Sequence, residues 1–298
     1  MRNIILIALS ICTFSQITFS QSSELDQLIG NDKKNEKEFA RYAFKSSRVI
    51  NGQSMEMLGK GVLDFRILHR FGTFKSGFSN FFGLDQASMR MGFDYGITKD
   101  LTVGYGRSTF NKEYDGYIKY RIAHQHKGYK PMPVSILWVS GMTISSSKIS
   151  NPSLDYFAYR LGYYHQLIVG RKFDETFTLQ LSPTFVHRNL VNTTADYNNM
   201  IAMGIGGRMK ISNRTALILD TYPILYGSNA GYNQFPLSLG FDIETGGHVF
   251  QLHITNTNAM NEKAFIGETT QSWGKGEIQF GFNLSRVFTI VKNKDTNW

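Results

Sequence analysis

Between Gly61 and Ile290 apolar and polar residues alternate with a period of two, in about twelve stretches of roughly nine to fifteen residues. A strand sends successive side chains to opposite faces, so each stretch has one greasy face and one wet one. In Glu277-Ile278-Gln279-Phe280-Gly281-Phe282-Asn283-Leu284-Ser285, Ile278, Phe280, Phe282 and Leu284 share a face. Strands of soluble proteins average about five or six residues, whereas a tilted strand crossing a bilayer needs roughly 9–11. The expected fold class is therefore all-β: a transmembrane antiparallel up-and-down β-barrel of about twelve strands, with a short polar N-terminal segment and its greasy faces toward lipid.

The strands read as 61–71, 88–97, 101–109, 114–124, 133–144, 155–169, 176–188, 198–211, 214–226, 236–245, 247–257 and 276–290. Clean outward sets include Leu63, Phe65 and Ile67; Met89, Met91, Phe93 and Tyr95; Phe157, Tyr159, Leu161 and Tyr163; Leu237, Leu239, Phe241 and Ile243; and Phe250, Leu252 and Ile254. Stretches 133–144 and 214–226 are apolar on both faces, and their register stays open. Connections largely alternate short and long, as periplasmic turns and external loops do. Two break the rule: 110–113 is short where an external loop belongs, and 125–132 is longer than a periplasmic turn. An even strand count places both barrel ends in the periplasm.

Composition agrees with this reading. Mean hydropathy is −0.24 and hydrophobic content 42%, because alternating faces cancel. Charged residues are 18%, below the roughly 25% of soluble domains. Residues 1–20 read as a secretory signal peptide, with Arg2 before an apolar core at 4–14 and small Thr18 and Ser20 ahead of Gln21. That core is too short to span a bilayer as a helix. Cys12, the only cysteine, lies in it, and Ile11 is too bulky to precede a lipid-acceptor cysteine. The mature chain then has no disulfide, thiol nucleophile or cysteine metal ligand. Residues 21–60 read as a periplasmic extension or plug, with short helices expected around Glu24–Ile29 and Glu36–Phe44; 61–291 form the barrel and 292–298 a tail. The net charge of +9 is scattered, so it marks rims and lumen rather than a nucleic-acid surface.

Parity sends a set of charges inward: Asp64, Arg66 and Arg70 on the first strand, Arg90 and Asp94 on the second, Asp115, Lys119 and Arg121 on the fourth. Arg160 follows on the sixth, Arg208 and Lys210 on the eighth, Asp242 and Glu244 on the tenth, and His253 on the eleventh. An Arg or Lys facing lipid at mid-membrane would cost about 2–4 kcal/mol, so an inward placement is physically reasonable. Two readings stand. An arginine wall opposite Asp242 and Glu244 would bias a pore toward anions. The same residues, paired with one another, would fill a closed lumen; twelve strands lie between a filled eight and an open sixteen.

Enzyme chemistry is not expected. No nucleophile-elbow or zinc-helix motif is present, and His253 and Ser285 both point inward, away from bilayer lipid. His124 and His126 fall in a turn, and His165 and His187 stand alone, so no metal site and no cofactor are expected. In the last strand the alternation closes on Phe288 with Arg286 interrupting it, an imperfect version of the terminal pattern used in outer-membrane insertion.

Residues 60–72, Asn80-Phe81-Phe82-Gly83-Leu84-Asp85, Gly92-Phe93-Asp94-Tyr95-Gly96, 104–110, 240–248 and Gly267-Glu268-Thr269 resemble an uncharacterised bacterial outer-membrane β-barrel family, a domain of unknown function. The resemblance spans roughly 45–290 and implies fold and location, with no catalytic residues to carry over. The functional expectation is a narrow porin-like or gated channel for small solutes in the cell outer membrane. Its partners would be outer-membrane lipids, the insertion machinery during assembly, and an envelope protein not identified by the sequence. The alternatives are a barrel anchoring an envelope or secretion complex and a lipid-modifying enzyme.

Overall fold

The computed structural model describes residues 36–291 except 150, 153–154, 192, 194–195 and 229–232. The signal peptide, the helix expected around Glu24–Ile29 and the C-terminal tail lie outside these residues. Twelve antiparallel strands close into a barrel: β1 Val62–Thr73, β2 Ala87–Gly96, β3 Leu101–Ser108, β4 Glu113–Ala123, β5 Ser135–Ser145, β6 Leu161–Lys172, β7 Phe177–Arg188, β8 Asn199–Lys210, β9 Thr215–Thr221, β10 Leu237–Thr245, β11 His248–Thr255 and β12 Gln279–Thr289. Each strand pairs with its sequence neighbour, and β12 pairs with β1 from Gln279↔Thr73 to Thr289↔Val62, which closes the cylinder. Closure removes the edges whose unpaired backbone groups a bilayer would not tolerate. No helix among the described residues is long and apolar enough to cross a membrane; the strands do so.

Parity settles the two open registers. In β5, Leu137 and Val139 are fully buried in the lumen while Ile136, Trp138 and Met142 face outward. In β9, Ala216, Ile218 and Asp220 face inward. That strand stops at Tyr222-Pro223, since proline offers no N–H to the ladder, and pairing resumes at Ile224–Tyr226 after a register shift. The expected strand 155–169 begins later: Phe157–Arg160 is a 3-10 turn and β6 runs Leu161–Lys172. Phe157 and Tyr159 are therefore exposed loop aromatics and not part of a strand face.

Both barrel termini and the short turns share one mouth, which this pattern assigns to the periplasm. There the two-residue turn between Thr245 and His248 puts Gly246 and Gly247 at φ 47° and 115°, a geometry that favours glycine. The longer turn after β4 has a structural reason: its His126–Gly128 pairs with Lys37–Phe39 as a small ribbon. The helix expected at Glu36–Phe44 is thus replaced by a strand that found an edge.

Three tyrosines lean across the inner wall onto glycines of neighbouring strands. A β-carbon on Gly104 would fall 2.2 Å from the Tyr117 ring, and one on Gly141 2.2 Å from that of Tyr164. Tyr222 lies in the same way over Gly204 and over Gly52, where a β-carbon would meet its Oη at 1.8 Å.

Candidate functional site: a filled lumen

The lumen is occupied from both ends. From the periplasmic side residues 43–55 run inward; most are buried, including Phe44, Arg48, Val49, Ile50, Gln53 and Met55. From the other side the loop 256–278 folds in and forms α1, Glu262–Gly267, all six residues of which are buried. Asn261 caps this helix, its side chain accepting from Ala264 N.

The N-terminal segment is tied to the wall by its backbone. Asp220 on β9 accepts from Ile50 N (3.3 Å), Asn51 N (2.7 Å) and Gly52 N (3.0 Å). Gln180 on β7 accepts from Met55 N and donates to Gln53 O. Gln251 donates to Val49 O, and Asn283 to Ile50 O. Lys119 donates to Ser47 O (3.2 Å) and Glu56 O (2.6 Å). An irregular segment buried in a protein must satisfy its polar backbone somewhere, and here the barrel side chains do it.

The predicted inward charges mostly pair with neighbours. Arg66 donates to Asp64 (2.5 Å) and lies 3.4 Å from Asp94. Asp94 also accepts from Ser47 Oγ at 3.0 Å, and Asp64 from Ser285 Oγ at 2.6 Å. Arg90 grips Asp115 with two hydrogen bonds of 2.8 and 2.5 Å. Arg208 and Asp242 approach to 3.9 Å, and His253 is buried beside Arg70 and Gly281. Among the described residues Arg66 and Arg90 are paired with acids of their own or nearby strands, and not set as an arginine wall opposite a separate acidic one.

Three predicted residues lie elsewhere. Arg160 is in the turn before β6 and pairs with Asp155 of the same loop, because the strand starts one residue later. Arg121 sits at the periplasmic end, half-buried, donating to Asp100 Oδ1 and Lys99 O where the β4–β5 register shifts. Glu244 is at the mouth, 39% exposed, in a 2.7 Å ion pair with Lys45. Ser285 pairs in register with Val249, and His253 with Gly281, so these two are not hydrogen-bonded partners.

The contact that sequence reasoning missed is Arg48–Glu262. Arg48 Nη1 donates to Glu262 Oε1 at 2.8 Å, both side chains are 0% exposed, and the guanidinium lies over the Tyr117 ring. It joins the segment that enters from the periplasm to the helix that enters from outside. Burial alone would pull the Arg48 guanidinium down; Glu262, with Tyr117, Tyr164 and Asp94, overcomes this and holds it above its ordinary value. On the same helix, burial opposes the charge of Lys263, and Glu268 and Glu113 raise it.

The lumen wall has two characters. Most of the buried charges lie on β1, β2 and β4, whereas the apolar side chains gather on β5–β8 as Leu137, Val139, Ile168, Val186 and Met200, interleaved there with Gln166, Gln180 and Arg208. Phe265 and Ile266 of α1 pack with this apolar half, as do Val49 and Met55, and Phe265 meets Tyr222 edge-on at 5.0 Å. Outside, Ser140 and His165 face each other across β5 and β6 with Oγ and Nδ1 3.0 Å apart, and Trp138 stacks on the imidazole. Among the described residues no group of three His, Cys, Asp or Glu is placed to hold a metal ion.

No curated protein sequence matches this chain. Solved structures with a similar course include the NanC porin (9% identity, TM-score 0.49, covering 76% of this chain and 98% of that one). The KdgM porin is also similar (7%, 0.45, 76% and 99%). So is the translocator domain of the autotransporter NalP from Neisseria meningitidis (13%, 0.35, 78% and 89%). A family described as a membrane bound beta barrel domain (DUF5777) matches residues 44–288. With a closed barrel of long strands, greasy outside and wet within, the chain belongs to that family and is an outer-membrane β-barrel.

Proposed function

We propose that the protein is a gated channel for small solutes, closed in the conformation described here by residues 43–58. The observation that carries this reading is how that segment is held. Its backbone bonds to Asp220, Gln180, Gln251, Asn283 and Lys119, all of which water can solvate equally well once the segment leaves. The vacated space would be lined on one side by Asp64, Arg66, Arg90, Asp94 and Asp115, a wettable wall. The α1 helix is different. It packs on the apolar half through Phe265 and Ile266 and has few such backbone ties, so in this reading it stays and narrows the path, while opening withdraws Val49 and Met55 from that half and breaks the Arg48–Glu262 pair.

The apolar half also supports a second reading, a structural barrel whose filler never leaves. Removing Val49 and Met55 would expose part of that face to water. Planar-bilayer recording separates the two. The full chain is expected to be mostly closed with brief openings, and a variant lacking residues 36–58 to conduct steadily. If the shortened barrel keeps its heat-modifiable gel shift yet passes no current, the channel reading fails. A full chain that never opens, beside a shortened one that conducts, leaves the structural reading standing.

A further inference from the structure

We propose that the loop between β1 and β2 is a lipid anchor that lays its phenylalanines into the outer leaflet at the level of the headgroup–acyl boundary. This inference is independent of the channel reading. The loop, 74–86, carries Phe74, Phe78, Phe81, Phe82 and Leu84, all exposed, Phe78 to 82%. Exposed apolar clusters of this size on a folded chain mark a partner or a membrane.

Three observations choose the membrane. The first is continuity with the lipid-facing wall. On that wall, Phe71 of β1 stacks on Phe280 of β12 at 5.9 Å, and Phe282 stacks on His69 at 4.9 Å. Phe74 N donates to Ile278 O, so the loop leaves directly from the top of this aromatic column. The second is that the loop stays low. It doubles back until Gly83 touches Gly72 and Thr73, where a β-carbon would fall 2.4 Å from backbone; Gln86 O accepts from Gly72 N. The base of the loop is thereby closed against the strand end.

The third is conformational. Phe81 (φ 45°, ψ 48°) and Phe82 (φ 53°, ψ 36°) are consecutive left-handed residues, an arrangement L side chains resist. Phe82 meets Phe78 edge-on at 6.3 Å, but about half of each of the two adjacent rings is left exposed, an area that a hydrocarbon surface would cover. The chemistry of the cluster points the same way. It is phenylalanine and leucine without a hydroxyl or indole, so it lacks the polar handle a sugar platform uses. Lys75, 60% exposed at its side chain beside Glu277, can reach headgroup phosphate while its stem stays on the apolar surface. Exposed aromatics recur on other loops of the same rim, at Tyr156, Phe157 and Tyr197, and at the strand end Tyr226. A surrounding lipid annulus touches all of these; one docked protein would touch a single sector.

The test uses the full chain in Cys12→Ser background, with a nitroxide on Phe78→Cys, reconstituted into phosphatidylcholine–phosphatidylglycerol vesicles. A second label on Phe82→Cys guards against a local effect, and Asp174→Cys in the turn between β6 and β7 is the aqueous control. The heat-modifiable gel shift confirms folding of each. Expected is a several-fold greater accessibility to oxygen than to a polar nickel chelate at both loop sites, and the reverse at the control. Nickel accessibility at the loop sites equal to that of the control would overturn the anchor. Spin–spin broadening that persists on dilution into excess lipid would also overturn it, because a second copy would then cover the loop.

Discussion

Arg48 shows how much one side chain holds together in this barrel. It is a fully buried cation whose carboxylate partner comes from the opposite entrance, so it stands or falls with Glu262. Removing one member of such a pair strands the other without solvent. Arg48→Met or Glu262→Leu alone is therefore expected to destabilise the folded barrel by about 3–5 kcal/mol. The double variant Arg48→Met/Glu262→Leu should recover much of that, since an apolar pair of similar volume avoids the desolvation of both charges. Urea unfolding of the four proteins in lipid, closed into a double-mutant cycle, measures it; additive losses would mean the two groups act independently. The pair was illegible in the sequence for a simple reason. Arg48 lies in a stretch without periodicity, and Glu262 is 214 residues away in a loop. Parity reads which face a strand residue occupies, and neither residue is on a strand. On the strands, where parity applies, Asp64, Arg66, Arg90, Asp94, Asp115, Lys119, Asp242 and His253 are all buried. Parity misplaced Arg160, where a tyrosine- and phenylalanine-rich 3-10 turn imitated the start of a strand.

Among the elements, the N-terminal segment is the one whose attachment responds to pH. Glu56 is half-buried, and its Oε1 accepts from Phe44 N at 3.2 Å. Burial pushes its carboxyl above the ordinary 4.5, against the opposing pull of the Phe44 and Ala43 backbone and of Lys119 and Arg121. The attached segment thus binds the proton more tightly than the released one. Its contribution is complete below pH 4.5 and is lost as the pH rises through the elevated value. Unfolding midpoints across this range should fall with rising pH in the wild type relative to Glu56→Gln, whose uncharged amide has nothing to titrate. Parallel curves would refute this. The α1 helix was as hard to foresee as Arg48. Six residues are too few for a helical period to emerge, and an external loop is expected to stay outside. What turns it inward is the apolar half of the lumen, visible only once β5 to β8 have been laid side by side.

For the whole molecule the alternation was enough. Twelve strands, their order and the mouth they share follow from period two and the rhythm of short and long connections. The seam between β1 and β12 has a meaning in time as well as in space. The strand that seals the cylinder is made last, while the filling segment is made first and is joined directly to β1. A cylinder sealed in advance would have to draw the polar side chains of Arg48 and Asn51 in through its mouth to the buried positions they hold. Wrapping the sheet around material already in position needs no such passage, and because the two are one chain the encounter is intramolecular. We therefore expect a chain lacking residues 36–58 to seal more slowly in lipid, read as a later rise of the gel-shifted band; an unchanged rate would argue that the filler enters after closure. On this view residues 43–58 are a mandrel, the form on which the barrel is wound, before they are anything to be moved aside.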